Sequence, residues 1–259
     1  MIVIRQFFFD IYTGSMMKKI SIIVILLLVL IGAGYWAYGW WRGDAFDTGA
    51  PLLASAAKEG RIELIDGELD VDDLPQGWVH RTFFNVTPTD YKLVEIDGRR
   101  AMQCSTNNSG SILARDVDIK LSDFSRLKWQ WKIEKALDSE FDEDSEDGDD
   151  HPARFFVMFK NADGGRKAAE IIWSNQKYQA GDYKIINGFH HLVANGLDEN
   201  VGIWHEQSVD LEALYKRIGG VGGDPSLGLL GFFCDSDNTG GSTSAYFSDV
   251  RLEAKIQNN

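Results

Sequence analysis

The 259-residue chain carries a formal net charge of −13, with 26 Lys and Arg against 39 Asp and Glu. That balance argues against a nucleic-acid partner, because a sugar-phosphate backbone is held by clustered cations and the counterions they release; anionic lipid is disfavoured for the same reason. Hydrophobic residues at 44% and aromatics at 12% suffice for a packed interior, and 26 glycines against 5 prolines suit many turns between short strands.

The first feature along the chain is an apolar run. From Ile20 to Trp41 there are 22 residues without a charge, about 33 Å as a helix, which is enough to cross the hydrocarbon core. Lys18 and Lys19 precede the run, whereas Arg42, Asp44 and Asp47 follow it, so the positive-inside bias leaves residues 1–19 in the cytoplasm. Tyr35, Trp36, Tyr38, Trp40 and Trp41 crowd the exit end, where amphipathic rings sit at headgroup level. The expected arrangement is a single-pass inner-membrane anchor at 20–41, a linker or short helix at 42–60, and a periplasmic β domain at 61–257. A cleaved signal peptide, with Ala37 and Gly39 before the cut, is the competing reading and gives the same extracytoplasmic address. Met16-Met17-Lys18-Lys19 looks like a natural start, which would make residues 1–15 an upstream extension.

From Arg61 onward, short β-rich runs recur between turn signals: 61–65, 78–84, 91–96, 100–106, 111–114, 127–134, 154–160, 167–173, 190–194, 201–207, 227–234 and 244–254. Asp97-Gly98 is a tight-turn signal between two of them. Leu127, Trp129, Trp131 and Ile133 alternate with Lys128, Gln130, Lys132 and Glu134, the pattern of a half-buried strand. Phe155 to Phe159 is apolar throughout, as in a strand covered on both faces. Helical spacing occurs at Asp210–Ile218, where Leu211, Leu214, Tyr215 and Ile218 share a face. The expected fold is all-β, a two-sheet sandwich of jelly-roll or galactose-binding-like type, with a closed barrel as runner-up. Cys104 and Cys234 lie in strand-like runs; they pair in an oxidising compartment if those strands are neighbours, and are buried free thiols otherwise.

Between Asp138 and Asp150 stand nine carboxylates and no cation. Such a run reads as a solvated, mobile loop or a weak collector of divalent cations. It ends in Asp149-Asp150-His151-Pro152-Ala153-Arg154, where Arg154 enters a buried strand and could fix the acid pair by a bidentate bond or face a ligand. Glu170 and Glu206 each stand near a tryptophan, Trp173 and Trp204, the company a sugar site keeps; a glycosidase needs two carboxylates facing across about 5 to 9.5 Å. Asp235-Ser236-Asp237-Asn238-Thr239-Gly240 places oxygen ligands at alternate positions before a glycine, as a calcium loop opens, with Asp235, Asp237 and Thr239 as candidate ligands. Position 12 of that loop is Tyr246 instead of Glu and no helix precedes it, so a helix-loop-helix site is rejected; a self-bonded Asx turn is the alternative. No Gly-x-Ser-x-Gly elbow, phosphate loop or Cys-x-x-Cys is present.

Trp129-x-Trp131, Asp149 to Arg154, Ile172-Trp173-Ser174, Gly202-Ile203-Trp204 with Glu206, Asp235 to Gly240, and Ala245-Tyr246-Phe247-x-Asp249 follow one another in an order that resembles the bacterial family named domain of unknown function 3047. The resemblance implies an exported protein with a β-sandwich similar to galactose-binding or lectin-like domains, and it supplies no catalytic residue. The long acidic insertion before Asp149 departs from the family pattern. Together these observations lead to an expected non-catalytic, membrane-anchored binding module for envelope carbohydrate or an envelope protein partner, with Trp173, Trp204, Glu206, Glu170 and Arg154 as ligand-binding candidates and calcium as the candidate ion. The alternatives are a carbohydrate-active hydrolase or lyase using Glu206 or Glu170, and a structural subunit of an envelope assembly.

Overall fold

The computed structural model of the chain describes residues 46–255, apart from 162 and 187. The Ile20–Trp41 run lies outside them. Among the described residues no helix is long and apolar enough to cross a membrane.

Among the described residues the strands are β1 (Leu52–Leu53), β2 (Arg61–Glu63), β3 (Trp78–Thr82), β4 (Asp90–Ile96), β5 (Arg99–Asn107), β6 (Gly110–Lys120), β7 (Phe124–Lys135), β8 (Arg154–Lys160), β9 (Arg166–Ser174), β10 (Tyr183–Ile186), β11 (Phe189–Gly196), β12 (His205–Asp210), β13 (Ser226–Asp235) and β14 (Ser242–Ala254), and there is one short α-helix, α1 (Leu211–Arg217). They form a two-sheet sandwich. The larger sheet runs β1-β6-β13-β8-β9-β11-β10, with β3 also on β6; the smaller runs β12-β7-β14-β5-β4, with β2 also on β14. Pairing is antiparallel except for β1 on β6 and β11 on β9.

Period-two alternation builds the interior. Leu127, Trp129, Trp131 and Ile133 of β7 are all buried and face Phe155, Val157 and Phe159 of β8. Trp129 meets the Phe155 ring edge-on at 5.2 Å, and Phe155 lies 5.0 Å from Phe247; each such ring contributes about 2 to 3 kcal/mol by leaving water. The uninterrupted apolarity of β8 has its expected cause. Phe156 and Met158 point the other way, into a small second cluster with Phe46, Ile112, Leu229 and Phe233 on the outer face of the larger sheet.

Cys104 of β5 and Cys234 of β13 form a disulfide between the two sheets, with Cα atoms 6.3 Å apart. Beside it the Tyr91 hydroxyl of β4 donates to the carbonyls of Ser111 and Phe232, and Thr89 Oγ1 donates to the Cys234 carbonyl. One end of the sandwich is thus closed by covalent and polar ties together.

Two departures from the sequence reading bear on the site. The run 201–207 becomes a strand only at His205, because Val201–Trp204 makes a turn in which Gly202 adopts φ +85°. Strand β10, which carries Lys184, is not expected from periodicity, since four residues are too few to show any.

Candidate functional site

Register places a row of polar side chains across the outer face of the larger sheet. Lys184 of β10 is opposite His191 of β11, which is opposite Glu170 of β9, which is opposite Phe156 of β8. One step along β8, Arg154 is opposite Phe233 of β13. Arg154, Phe156, Glu170, His191 and Phe233 floor an open cleft of about 560 Å³, walled by Phe83 and Val86 on one side and Ile186 and Phe189 on the other, and closed at one end by Asp149, Asp237 and Asn238. Gly231 keeps the floor flat: a Cβ there would stand 2.5 Å from Ile112 Cγ2.

Arg154 is 4% exposed, and its guanidinium is the hub. One amino group donates to Glu170 Oε2 at 2.7 Å and the other to Asp235 Oδ2, while the plane lies 3.8 Å from the centroid of Phe233. It therefore bonds carboxylates of β9 and β13, and not the preceding pair Asp149-Asp150 that the sequence offered as its partners. Nε2 of His191 lies 3.3 Å from Glu170 and 3.5 Å from Asp149. Burial alone would lower the His191 pKa, but the two carboxylates outweigh it and the pKa is raised. Burial likewise works to raise Glu170 and Asp149, and is outweighed by Arg154 and His191 at the first and by His151, His191 and Arg154 at the second, so both carboxyls are held below the usual range.

The acidic run is docked, which corrects the expectation of a mobile loop. Glu143 is buried and accepts hydrogen bonds from Ser174 Oγ and from the backbone N–H groups of Asn175, Gln176 and Lys177. Lys184 donates to the Glu143 carbonyl, to Asp149 and to His151 Nε2. Burial is the main reason the His151 pKa falls to about 4, with Lys184 and Arg154 adding to it, so this imidazole is neutral at neutral pH. A buried carboxylate bonded by four donors is a structural anchor, and here it fixes the rim of the cleft.

At the cleft's closed end, one oxygen from each of Asp150, Asp235 and Asp237 lies within 4.8 Å of the other two. Burial, and then Asp150, raise the Asp237 pKa. Thr239 adjoins this group: its N–H and Oγ1 both donate to Asp150 Oδ2, at 2.7 and 2.8 Å. Asp150, which the sequence reading did not name as a ligand, thus joins Asp235 and Asp237, with Thr239 holding its other oxygen.

The structure brings Glu170, Arg154, Asp235 and Asp237 into one cleft. The other candidates stand elsewhere. Trp173 is 1% exposed and packs edge-on against Trp131 at 5.7 Å, so the expectation of a sugar-stacking ring is corrected: its faces are occupied by the core. Trp204 is half-buried and Glu206 exposed on the outer side of the smaller sheet, where Trp204 donates to Asp97 and lies under Arg99. Glu206 and Glu170 thus occupy opposite faces of the sandwich and cannot act as one pair. Sequence reasoning passed over His191, Lys184 and Glu143. The signal for Lys184 was Asn187-Gly188, a hairpin dipeptide standing between Ile186 and Phe189; nothing distinguished Glu143 from its eight acidic neighbours.

No curated protein matches the chain. Similar solved structures include the family 11 carbohydrate-binding module of cellulosomal cellulase Lic26A-Cel5E of Clostridium thermocellum, at 11% identity and TM-score 0.41, covering 77% of this chain and 97% of that one. The family 30 carbohydrate-binding module of cellulosomal cellulase Cel9D-Cel44B of the same organism is 10% identical with TM-score 0.40, covering 77% and 99%. A family 12 xyloglucanase from Bacillus licheniformis is 11% identical with TM-score 0.35, covering 69% and 87%. At these scores the likenesses assign neither ligand nor activity. The family model described as protein of unknown function (DUF3047) matches residues 76–251, a span that holds every strand of the cleft, and the chain belongs to that family.

Proposed function

We propose that the chain is a non-catalytic binding module for a neutral or amino-bearing glycan, displayed outside the cytosol and tethered by Ile20–Trp41. The observation that carries this reading is the cleft itself. Half-buried Phe83 and Phe189, the latter stacked on Phe156, offer apolar surface beside a fixed array of hydroxyl-binding groups, Glu170, Asp149, Asp237 and Asn238. A shallow site with an apolar wall and a few rigidly held polar groups suits a sugar, whose rings are apolar on their faces and polar at their edges. Glu146, Asp149, Glu170, Asp235 and Asp237 outnumber the cations Arg154 and His191 along the lining, which disfavours uronates and sulfated glycans. The Cys104–Cys234 pair supports an extracytoplasmic address, since disulfides persist in oxidising compartments.

The carboxylates argue for binding over turnover. Glycoside hydrolysis needs one protonated and one ionised carboxyl, and Glu170 and Asp149 are both held ionised by their cationic neighbours. Asp237 is the exception, its pKa raised by burial and then by Asp150, and a hydrolase with Asp237 and Glu170 as its carboxyl pair is the second reading.

The test is a glycan array probed with the purified full chain, followed by titration of any hit. The expected result is binding of neutral or amino glycans without new reducing ends, weakened at least about tenfold in Phe189→Ala, the equivalent of one lost aromatic contact. Reducing ends released by wild type and not by Glu170→Gln would replace this reading with the hydrolase. Silence across the array would remove the glycan and leave a protein partner.

A further inference from the structure

We propose that the closed end of the cleft is a built site for one divalent cation of the hard, oxygen-preferring class, calcium foremost, held by Asp150, Asp235 and Asp237. Three oxygens within 4.8 Å of one another fit around a single ion whose oxygen ligands stand about 2.3 to 2.6 Å away. The donors are carboxylates alone, which favours calcium or magnesium over zinc or copper.

Proximity of acids would not by itself make a site. The independent observation is at Asp150. Its side chain is 0% exposed; Oδ2 is held by Thr239, yet Oδ1 is buried with no hydrogen-bond donor. A buried carboxylate oxygen left unpaired loses its hydration with no bond in return, and a cation supplies the missing partner. The surroundings are also prepared for it. Asp235 is oriented by the His151 N–H on Oδ1, at 2.9 Å, and by Arg154 on Oδ2. Asp237 is seated against Gly110, where a Cβ would lie 2.4 Å from Asp237 Oδ1, so only glycine leaves room for this carboxylate. Charge points the same way: of the three carboxylates Asp235 is the one that pairs with Arg154, and that guanidinium is divided between Asp235 and Glu170.

The three ligands come from two segments far apart in sequence, the approach to β8 and the end of β13 with the turn beyond it. A bound ion would pin the acidic run to that turn, where Asn238 already donates to the Glu146 carbonyl. Asp235 and Asp237 line the cleft, so the ion would also present open coordination positions to whatever occupies it. The inference does not depend on the glycan reading, because the ion alone is the probe.

The test uses the purified full chain, stripped with chelator and titrated with calcium, magnesium or manganese chloride, read by calorimetry and by melting temperature. The expected result is saturable binding of calcium at one ion per chain and a melting temperature that rises with calcium concentration, as linkage requires. Asp237→Asn, at a half-buried position, should melt in chelator no lower than wild type yet bind calcium at least about tenfold more weakly; Asp150→Asn should lose the site as well. Asp138→Asn, in the exposed part of the acidic run, should keep it. Absence of heat and of any melting shift with all three ions would overturn the proposal, as would binding that survives in Asp237→Asn and Asp150→Asn but is lost in Asp138→Asn.

Discussion

His191 shows how a single proton can be fixed by geometry. Its Nε2 stands between the Glu170 and Asp149 carboxylates, its Nδ1 lies 3.2 Å from the Phe189 carbonyl, and its ring is 1% exposed at the side chain. Arg154 of β8, Lys184 of β10 and His190 of β11 are the other titratable groups around it and the neutral His151 ring packs beside it; burial works against the charge, yet the two carboxylates prevail and the pKa is raised. A raised folded-state value means that the imidazolium stabilises the fold fully below the unfolded histidine pKa of about 6.5 and progressively less as pH rises through the folded value. The advantage of wild type over His191→Gln, read as the difference in melting temperature, should therefore be largest near pH 6 and should shrink on the alkaline side. A difference that grows with pH would show that the ring is neutral in the folded protein.

At the level of elements, α1 gives the cleanest case of a short structure specified by one residue. Asp210 Oδ1 accepts from the Glu212 and Ala213 N–H groups, at 3.0 and 3.1 Å, and Leu211, Leu214 and Tyr215 bury the inner face. Seven residues are too few to be helical alone, so the cap and the burial must act together. Asp210→Ala should cost about 1 kcal/mol, a fall in melting temperature of about 2 to 4 °C for a domain of this size, whereas Asp210→Asn, which keeps an acceptor, should stay close to wild type. If both variants fell equally, the loss would belong to the ion pair with Arg126 and not to the cap. This helix and strands such as β7 and β14 were legible in the sequence because their apolar residues repeat over successive turns or pleats, whereas β6 was read only over 111–114 of Gly110–Lys120. Strand β10 and the turn at Val201–Trp204 were not, being set by pairing with β11 and by Gly202. The site was legible in halves. The segments Asp149 to Arg154 and Asp235 to Thr239 stood out as charge entering apolar strands, but only strand order says that β8 and β13 are neighbours, and therefore that Arg154 and Asp235 meet. Trp173 misled for the opposite reason. A tryptophan beside a glutamate looks the same in sequence whether it faces a ligand or the core, and the pleat puts Glu170 outside and Trp173 inside, three residues apart.

For the molecule as a whole, the tie between the sheets joins stability to location. The disulfide links the fifth and thirteenth strands across 130 residues of sequence, and a loop of that length corresponds to about 5 kcal/mol in the chain-entropy picture, with about 2 to 4 kcal/mol the usual measured range. The pair Cys104→Ala and Cys234→Ala should lower the melting temperature by about 4 to 15 °C without dissolving the fold, because Tyr91 and Thr89 tie the same end and the aromatic core around Phe155 is untouched. The same two sulfurs report on the compartment. If the apolar run delivers the sandwich outside the cytosol, chain taken directly from cells should resist alkylation until it is reduced, and a periplasm-dependent reporter fused after Asn259 should be active. Free, alkylatable thiols in material trapped from living cells would place the domain in a reducing environment, and the exported, tethered reading would then fail even if the cleft still bound its glycan in vitro.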